Sequence, residues 1–204
     1  MHTGIISLQP LYDFLKSKLD ENGLERGSFV RRHYGVIAKD ICAEIAAEQG
    51  FYLWGRYESN GLWRNIYLGK AGFGKTAHLR ARILEELKDE QACILRAFVS
   101  EKVLKEAWER NYPKMWHVYK RHMDRALRKT GTTHIAWVAD PELSNSAVQN
   151  IESDLIETFS PRANISRPVP PVTLQEHTKE IIGEFRTLIH ENRSGKFKLV
   201  VAAF

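Results

Sequence analysis

The sequence is poor in cysteine and has no long hydrophobic run. Its two cysteines, Cys42 and Cys93, are far apart and form no spacing typical of a metal site. This scarcity excludes a disulfide-rich secreted fold and favours a reducing, intracellular setting, which we interpret as cytoplasmic. No apolar stretch approaches the roughly 18 to 20 residues that span a membrane, and the N-terminus has no basic region followed by a long apolar one. We therefore expect neither a membrane partner nor a secretory signal.

Internal repeats and low-complexity tracts are also missing, so the 204 residues are expected to form one domain, or one domain with an appended segment. Positive charge is present in excess: 30 lysine and arginine residues stand against 25 acidic residues, a net charge of +5. The excess is local. Residues 96–129 contain ten lysines and arginines against four acidic residues, which gives this segment a net charge of +6 and leaves the rest near neutral.

This basic segment has helical apolar spacing from about 96 to 130 and is expected to be one helix broken near Pro113, or two shorter helices. Two interpretations stay open. It is either a helical insertion with a solvated basic face, or an arm that binds nucleic acid by neutralising phosphates. On the second interpretation the contacts come from Lys114, Lys120, Arg121, Arg125 and Arg128.

The element order predicts an α/β (α+β) fold, with a small three-stranded, mostly antiparallel sheet flanked by helices. Residues 1–49 are predicted to form an N-terminal helical segment of two helices. Residues 50–166 are predicted to form the domain that holds the sheet, with the basic helical insertion at about 96–130. Residues 167–204 are predicted to form a tail of one helix and one strand.

The strongest local signal is a hairpin. Asn60-Gly61 separates the strand-like runs Phe51–Tyr57 and Leu62–Leu68, and such a dipeptide favours a tight turn. A third strand is predicted at Thr133–Ala139. The helix that follows, Ser144–Phe159, places Glu152 among its apolar positions, and a buried carboxylate usually has a partner or a metal.

A glycine-rich stretch after the hairpin offers a competing function. GKAGFGKT, residues 69–76, fits the phosphate-loop pattern, and Asp140 ends an apolar run as in P-loop ATPases. However, a phosphate loop normally follows a strand of a largely parallel sheet, whereas the hairpin implies antiparallel strands. An ATPase would also leave Tyr52, Tyr67 and Glu152 unexplained. We keep the P-loop ATPase as an alternative.

Four short motifs, in this order, resemble the GIY-YIG nuclease family over about Gly50–Lys88 and Thr133–Asn164. The two strands carry one tyrosine motif each, the next helix carries a leucine and an arginine, and the later helix carries a glutamate followed by a proline and an asparagine. These residues are Gly50-Phe51-Tyr52, Tyr67-Leu68-Gly69, Leu79 with Arg82, and Glu152, Leu155-Ile156, Pro161 and Asn164.

The resemblance implies the catalytic residues Tyr52, Tyr67, Arg82 and Glu152. Glu152 would bind one Mg²⁺ or Mn²⁺ ion, and Arg82 would clamp the phosphate oxygens. Tyr67 would orient or deprotonate the attacking water, with Tyr52 hydrogen-bonded nearby. A phenol is a poor base unless its pKa is lowered. The positive charges of the metal, Arg82 and Lys70 would lower the pKa of Tyr67. Lys70, Glu86 and Asn164 are auxiliary residues, and Asn164 is expected to brace the site.

Two departures from the family pattern concern the helix that carries the arginine. The loop before Arg82 is longer than usual, and Arg82 is preferred to Arg80 because it completes the Leu-x-x-Arg phrase. Glu86 stands where family members often have His or Tyr. If it faces the site, it would replace that group or add a metal ligand.

The expected function is therefore metal-dependent hydrolysis of DNA by an endonuclease of the restriction or mobile-element type. The alternatives are a repair or structure-specific nuclease, a nucleic-acid-binding module that has lost turnover, and the ATPase. A homodimer is compatible with the resemblance, because single-site enzymes of this family cut two strands through dimers or by successive nicks.

Overall fold

The computed structural model describes residues 1–24, 28–72, 78–165 and 174–192. Its centre is a sheet of four strands, β1 (His2–Ser7), β2 (Gly50–Tyr57), β3 (Trp63–Ala71) and β4 (His134–Ala139). The strand order is β1-β4-β2-β3, and every neighbouring pair is antiparallel. The mixed class and the antiparallel sheet were predicted correctly, whereas the count of three strands was wrong.

The additional strand is β1, which lies in the segment predicted to be helical. It pairs with β4 from His2 opposite Ala139 to Ser7 opposite His134. The sequence signal was weak because Gly4 interrupts the run, and glycine disfavours strands. In the sheet Gly4 is well suited to its place, since a Cβ there would lie 2.7 Å from Cζ2 of Trp137. A contact with a distant strand therefore decides the conformation of this segment.

The predicted hairpin is confirmed, with residues 58–62 as its loop. The amide of Gly61 donates to the carbonyl of Glu58 (2.9 Å), and the amide of Leu62 donates to Oδ1 of Asn60 (3.0 Å). Gly61 has φ of +75°, a conformation that glycine adopts without steric cost. Strand β3 continues to Ala71, so it includes both Tyr67 and Lys70.

Eight helices are described in the same ranges. They are α1 (Gln9–Asn22), α2 (Ser28–Ile41), α3 (Leu79–Asp89), α4 (Ala92–Leu95), α5 (Glu101–Asn111), α6 (Trp116–Arg128), α7 (Asn145–Phe159) and α8 (Glu176–Glu191). The basic segment forms the two shorter helices, α5 and α6, with the break around Pro113. The predicted final strand lies outside the described residues. Among the helices that are described, none is long and apolar enough to cross a membrane.

The two faces of the sheet bury two different hydrophobic clusters, because successive strand residues point to opposite faces. Tyr52 and Trp54 of β2 face the cluster that contains residues of α1 to α6. Phe51 and Leu53 face the cluster built by α7 and α8. The N-terminal helices and the basic insertion therefore share one core with the face of the hairpin that carries Tyr52 and Trp54.

Candidate active site

Tyr52 and helix α3 meet on the face of the sheet that packs against α1 to α6. The side chain of Tyr52 is fully buried, and its hydroxyl donates to Oε1 of Glu86 at 2.7 Å. Nη2 of Arg82 binds the same oxygen at 2.9 Å. Helix α3 begins after His78, whose Nδ1 accepts from the amide of Ala81, and it carries Arg82 and Glu86 one turn apart. Two of the predicted catalytic residues are thus joined through one carboxylate.

Glu86 faces the site, which was the condition for it to replace the usual His or Tyr or to add a metal ligand. However, protein donors bind both of its carboxylate oxygens. Oε1 holds Tyr52 and Arg82, and Oε2 lies 2.8 Å from Nζ of Lys129. The residue is 2% exposed. In this arrangement Glu86 holds the phenol and the guanidinium in place, and its geometry favours a positioning role over that of a metal ligand.

Lys129 is a site residue that sequence reasoning missed. It is 1% exposed, and its ammonium group lies between Oε2 of Glu86 (2.8 Å) and Oε2 of Glu90 (2.6 Å). The same group lies 3.8 Å from the ring centroid of Tyr67 and 4.5 Å from that of Trp54. Lysine is almost never fully buried unless it is paired. Here the two carboxylates and the two aromatic rings compensate the buried positive charge.

The sequence offered no local signal for this residue. Lys129 follows the last turn of α6, where a lysine is expected to interact with the helix dipole and with solvent. Its acidic partners lie on and just after α3. Only the folding of the insertion against α3 brings these charges together.

Tyr67 lies beside Tyr52, with ring centroids 6.3 Å apart, and is half-buried. Burial raises the pKa of Tyr67 well above its ordinary value, and the carboxylates of Glu86 and Glu90 raise it further. Burial also raises the pKa of Tyr52, again with a contribution from Glu86. Both phenols are therefore protonated near neutral pH. For Tyr67 to act as a base, bound cations would have to lower its pKa.

Glu152 and Lys70 form an ion pair on the opposite face of β3. Nζ of Lys70 lies 2.7 Å from Oε2 of Glu152, and the two side chains are 22% and 23% exposed. Ser144 caps the start of α7 by accepting from the amide of Ala147, which fixes the register in which Glu152 meets the strand. The prediction that Glu152 has a partner is met by Lys70.

Asn164 binds the free edge of β3 in the manner of a strand residue. Its Oδ1 accepts from the amide of Leu68 and its Nδ2 donates to the carbonyl of Leu68, both at 2.9 Å. The neighbouring amide of Ala163 donates to the carbonyl of Ile66 at 2.8 Å. Since Tyr67 lies between these two anchor points, this geometry agrees with a bracing role.

Arg80 and Arg82 have different surroundings. Nε of Arg80 donates to the carbonyl of Ile45 at 2.7 Å, so this side chain is directed to the loop after α2. Arg82 binds Glu86, the hydrogen-bond partner of Tyr52, while 37% of its side chain stays exposed. Of the two, Arg82 is placed to meet a ligand at the tyrosines.

The predicted phosphate contacts lie in or next to α6, and four of the five are exposed: Lys114, Lys120, Arg121 and Arg128. Arg125 differs. Its Nε lies 2.6 Å from Oε1 of the buried Glu90, although 42% of the side chain is exposed. Arg125 and Lys129 thus connect helix α6 to the end of α3.

In the described part of the chain, no group of three or more His, Cys, Asp and Glu side chains is placed to hold a metal ion. The family resemblance assigns a cation to one carboxylate, that of Glu152. This suits Mg²⁺, which usually keeps several waters and is bound by one or two carboxylates and by substrate phosphates. The partly exposed Glu152 fits such an ion better than the enclosed Glu86 does.

Asp140, the aspartate of the alternative ATPase, is buried and paired. Its Oδ2 lies 2.8 Å from Nε2 of His177, and its Oδ1 accepts from the amide of Glu142 at 2.9 Å. The Gly74-Lys75-Thr76 part of the phosphate-loop pattern lies outside the described residues.

We compared the chain with known protein families, with curated proteins and with solved structures, and none of them matches it.

Proposed function

We propose that this protein is a metal-dependent endonuclease of the GIY-YIG type that hydrolyses DNA. One observation carries the proposal: motifs that are distant in the sequence meet at β3. Tyr67 and Lys70 belong to this strand, Asn164 binds its edge, and Glu152 pairs with Lys70. Tyr52 pairs with β3 from the neighbouring strand and holds Arg82 through Glu86.

Arg82 is the residue best placed to bind the scissile phosphate. Its guanidinium is fixed by Glu85 and Glu86, each at 2.9 Å, yet more than a third of the side chain is exposed. A planar guanidinium held in this way can present its remaining donors to two phosphate oxygens without a large loss of conformational freedom.

Tyr67 would act on the attacking water from strand β3. The phenol of Tyr67 is protonated in the free protein, so it first orients water by hydrogen bonding. When a divalent cation is bound at Glu152, it supplies Lewis-acid stabilisation of the phosphate and the leaving oxygen. Lys70, on the other face of β3, would then release Glu152 to the cation. Against the effect of burial, the charge of Arg82 acts to lower the pKa of Tyr67 and would favour transfer of the phenolic proton to solvent water.

The first test is nicking of supercoiled plasmid DNA in Mg²⁺ or Mn²⁺ by the full chain. Glu152→Gln should abolish nicking, and Arg82→Lys should reduce it strongly because the planar fork is lost. Lys75→Ala is the control, since it should remove an ATPase activity and leave a nuclease active. Nicking that persists in Glu152→Gln would refute the proposed chemistry.

Helix α6, which carries Lys120, Arg121 and Arg128, is proposed to provide much of the DNA affinity. Replacing Lys120, Arg121 or Arg128 by Gln should each reduce the slope of log affinity against log salt by about 0.9 on duplex DNA. Arg125→Gln should also lower stability, because its guanidinium pairs with the buried Glu90. An unchanged salt slope in the three exposed variants would place the binding surface elsewhere.

A nucleic-acid-binding module without turnover is the second candidate. It is favoured by the enclosed state of Glu86 and by the Lys70–Glu152 ion pair, which occupies the expected metal ligand. DNA binding without metal-dependent nicking, over several substrates and metals, would select it. The subtype also stays a proposal: restriction or mobile-element cleavage first, then repair or structure-specific cleavage.

A further inference from the structure

A cavity that the proposed chemistry does not use lies between helix α1 and the basic insertion. Its volume is about 480 Å³, within the roughly 300–1,000 Å³ range of small-molecule sites. Residues of α1, α3, α4, α5 and α6 line it. Buried apolar side chains, among them Leu15, Leu95 and Met123, contribute to its lining.

Three half-buried aromatic side chains form one wall of this cavity. The ring centroids of Trp108 and Tyr112 are 5.3 Å apart with an interplanar angle of 31°, and those of Tyr112 and Tyr119 are 4.7 Å apart. Clustered aromatic faces next to open volume are suited to a planar aromatic ligand. Stacking of this kind is the common way in which proteins hold unpaired nucleobases.

Polar groups line the same cavity and can both donate and accept hydrogen bonds. Asp89 supplies a carboxylate, His122 an imidazole, and Asn111 an amide whose Nδ2 also donates to the carbonyl of Leu24 at 3.4 Å. A nucleobase presents a mixed donor and acceptor edge, so these groups match it better than they match a purely apolar ligand.

The charge beside the cavity is complementary to a nucleic acid strand. Tyr119 and His122 line the cavity, and the residues between them, Lys120 and Arg121, are exposed. A strand whose phosphates follow these two cations could place one base against the aromatic wall. Helix α6 belongs to the segment, residues 96–129, that carries the excess positive charge of the chain.

The cavity is also close to the proposed catalytic helix. Asp89, one of its lining residues, ends α3, and Arg82 lies seven residues earlier on that helix. At 1.5 Å per residue this separation is about 10 Å along the helix axis. A base bound in the cavity could therefore belong to a nucleotide near the phosphate at Arg82.

We infer that this cavity binds an unpaired nucleobase, so that the preferred substrate is DNA with an unpaired or extruded nucleotide close to the cleavage position. The inference rests on the proposed nuclease function and defines the substrate class of the same site.

The test is binding of fluorescent DNA to the full-length Glu152→Gln protein, which separates binding from cleavage. A fully paired duplex is compared with the same duplex carrying a one-nucleotide bulge. We expect the bulged duplex to bind about tenfold more tightly, in line with one stacked base. Trp108→Leu and Tyr119→Ala should remove this preference and leave affinity for the paired duplex unchanged. Tyr119→Phe keeps the ring and should keep the preference.

Crosslinking with the wild-type side chains guards against variants that fail to fold. A 5-iodouracil placed at the bulge should, after irradiation, form an adduct with Trp108, Tyr112 or Tyr119, located by mass spectrometry. An adduct confined to other residues would overturn the inference. So would equal binding of bulged and paired duplexes, and so would a preference that survives in folded Trp108→Leu.

Three further outcomes separate this inference from the function on which it rests. If deoxyadenosine monophosphate competes with the bulged duplex and binds the cavity as tightly as that duplex does, the cavity is a mononucleotide site, and the substrate inference is wrong. If the protein nicks plasmid DNA but shows no bulge preference, the inference fails and the nuclease proposal stands. If it binds no DNA in any form, the proposed function itself fails.

Discussion

Replacement of Lys129 by methionine should destabilise the protein far more than replacement of any exposed lysine. Methionine has a similar length and keeps the apolar contacts with the rings of Trp54 and Tyr67, but it removes the positive charge. Glu86 would keep Tyr52 and Arg82 as partners. The carboxylate of Glu90, a residue that is 1% exposed, would keep the ion pair with Arg125.

The size of the effect follows from the burial of the charges. Removing one partner of a buried ion pair costs about 3–5 kcal/mol, because the remaining charge is left without compensation in a poorly solvated place. Lys129 lies within 2.8 Å of two buried carboxylates, so the variant belongs in this range. Total stability of a domain is about 5–15 kcal/mol, and the variant should therefore be folded but marginal.

The assay is urea unfolding followed by tryptophan fluorescence, with Lys102→Met as the matched control. The side chain of Lys102 is 86% exposed, so its loss should change stability by less than about 0.5 kcal/mol. The double variant Lys129→Met with Glu90→Gln removes charge from both partners. Its loss should be smaller than the sum of the single losses by about 1–3 kcal/mol. If Lys129→Met behaves like Lys102→Met, the buried network does not have the role assigned to it.

Three further predictions concern the strands. Asn164→Ala removes two backbone hydrogen bonds at the edge of β3 and should cost about 1–3 kcal/mol and reduce nicking, measured by urea unfolding and the plasmid assay. Burial lowers the pKa of His134 to about 4 from 6.5, so the unfolded chain binds more protons between these values. Stability should fall by roughly 3 kcal/mol as pH drops from 6.5 to 4, and His134→Phe should flatten that profile. Gly69→Ala places a Cβ 2.4 Å from the ring of Tyr52 and should lower the melting temperature, whereas Gly183→Ala, in open space on α8, should raise it slightly.

The parts of the fold that the sequence predicts well are those with local signals. The Asn60-Gly61 turn defines the hairpin, and apolar spacing with a serine cap defines α7. Strand β1 had no comparable signal, because its conformation depends on pairing with β4 and on the space that Gly4 leaves for Trp137. Local propensity alone does not contain this long-range information.

The candidate site divides in the same way. Short motifs identify Tyr52, Arg82 and Asn164, and the structure places these residues around β2 and β3. Lys129 and Glu90 could not be found, because a charge at a helix end looks the same in sequence whether it faces solvent or a buried partner. Packing of the insertion against α3 creates this part of the site.

The pairing of β1 with β4 has a consequence for the order of folding. Hairpin β2–β3 joins residues close in sequence, whereas His2 pairs with Ala139, which lies 137 residues later and beyond the basic insertion. Contacts of such long range form slowly, since the entropy of closing the loop must be overcome first. We therefore expect amides of the hairpin to gain protection from hydrogen exchange before those of β1 during refolding. During synthesis, the N-terminal strand would wait for its partner until β4 leaves the ribosome.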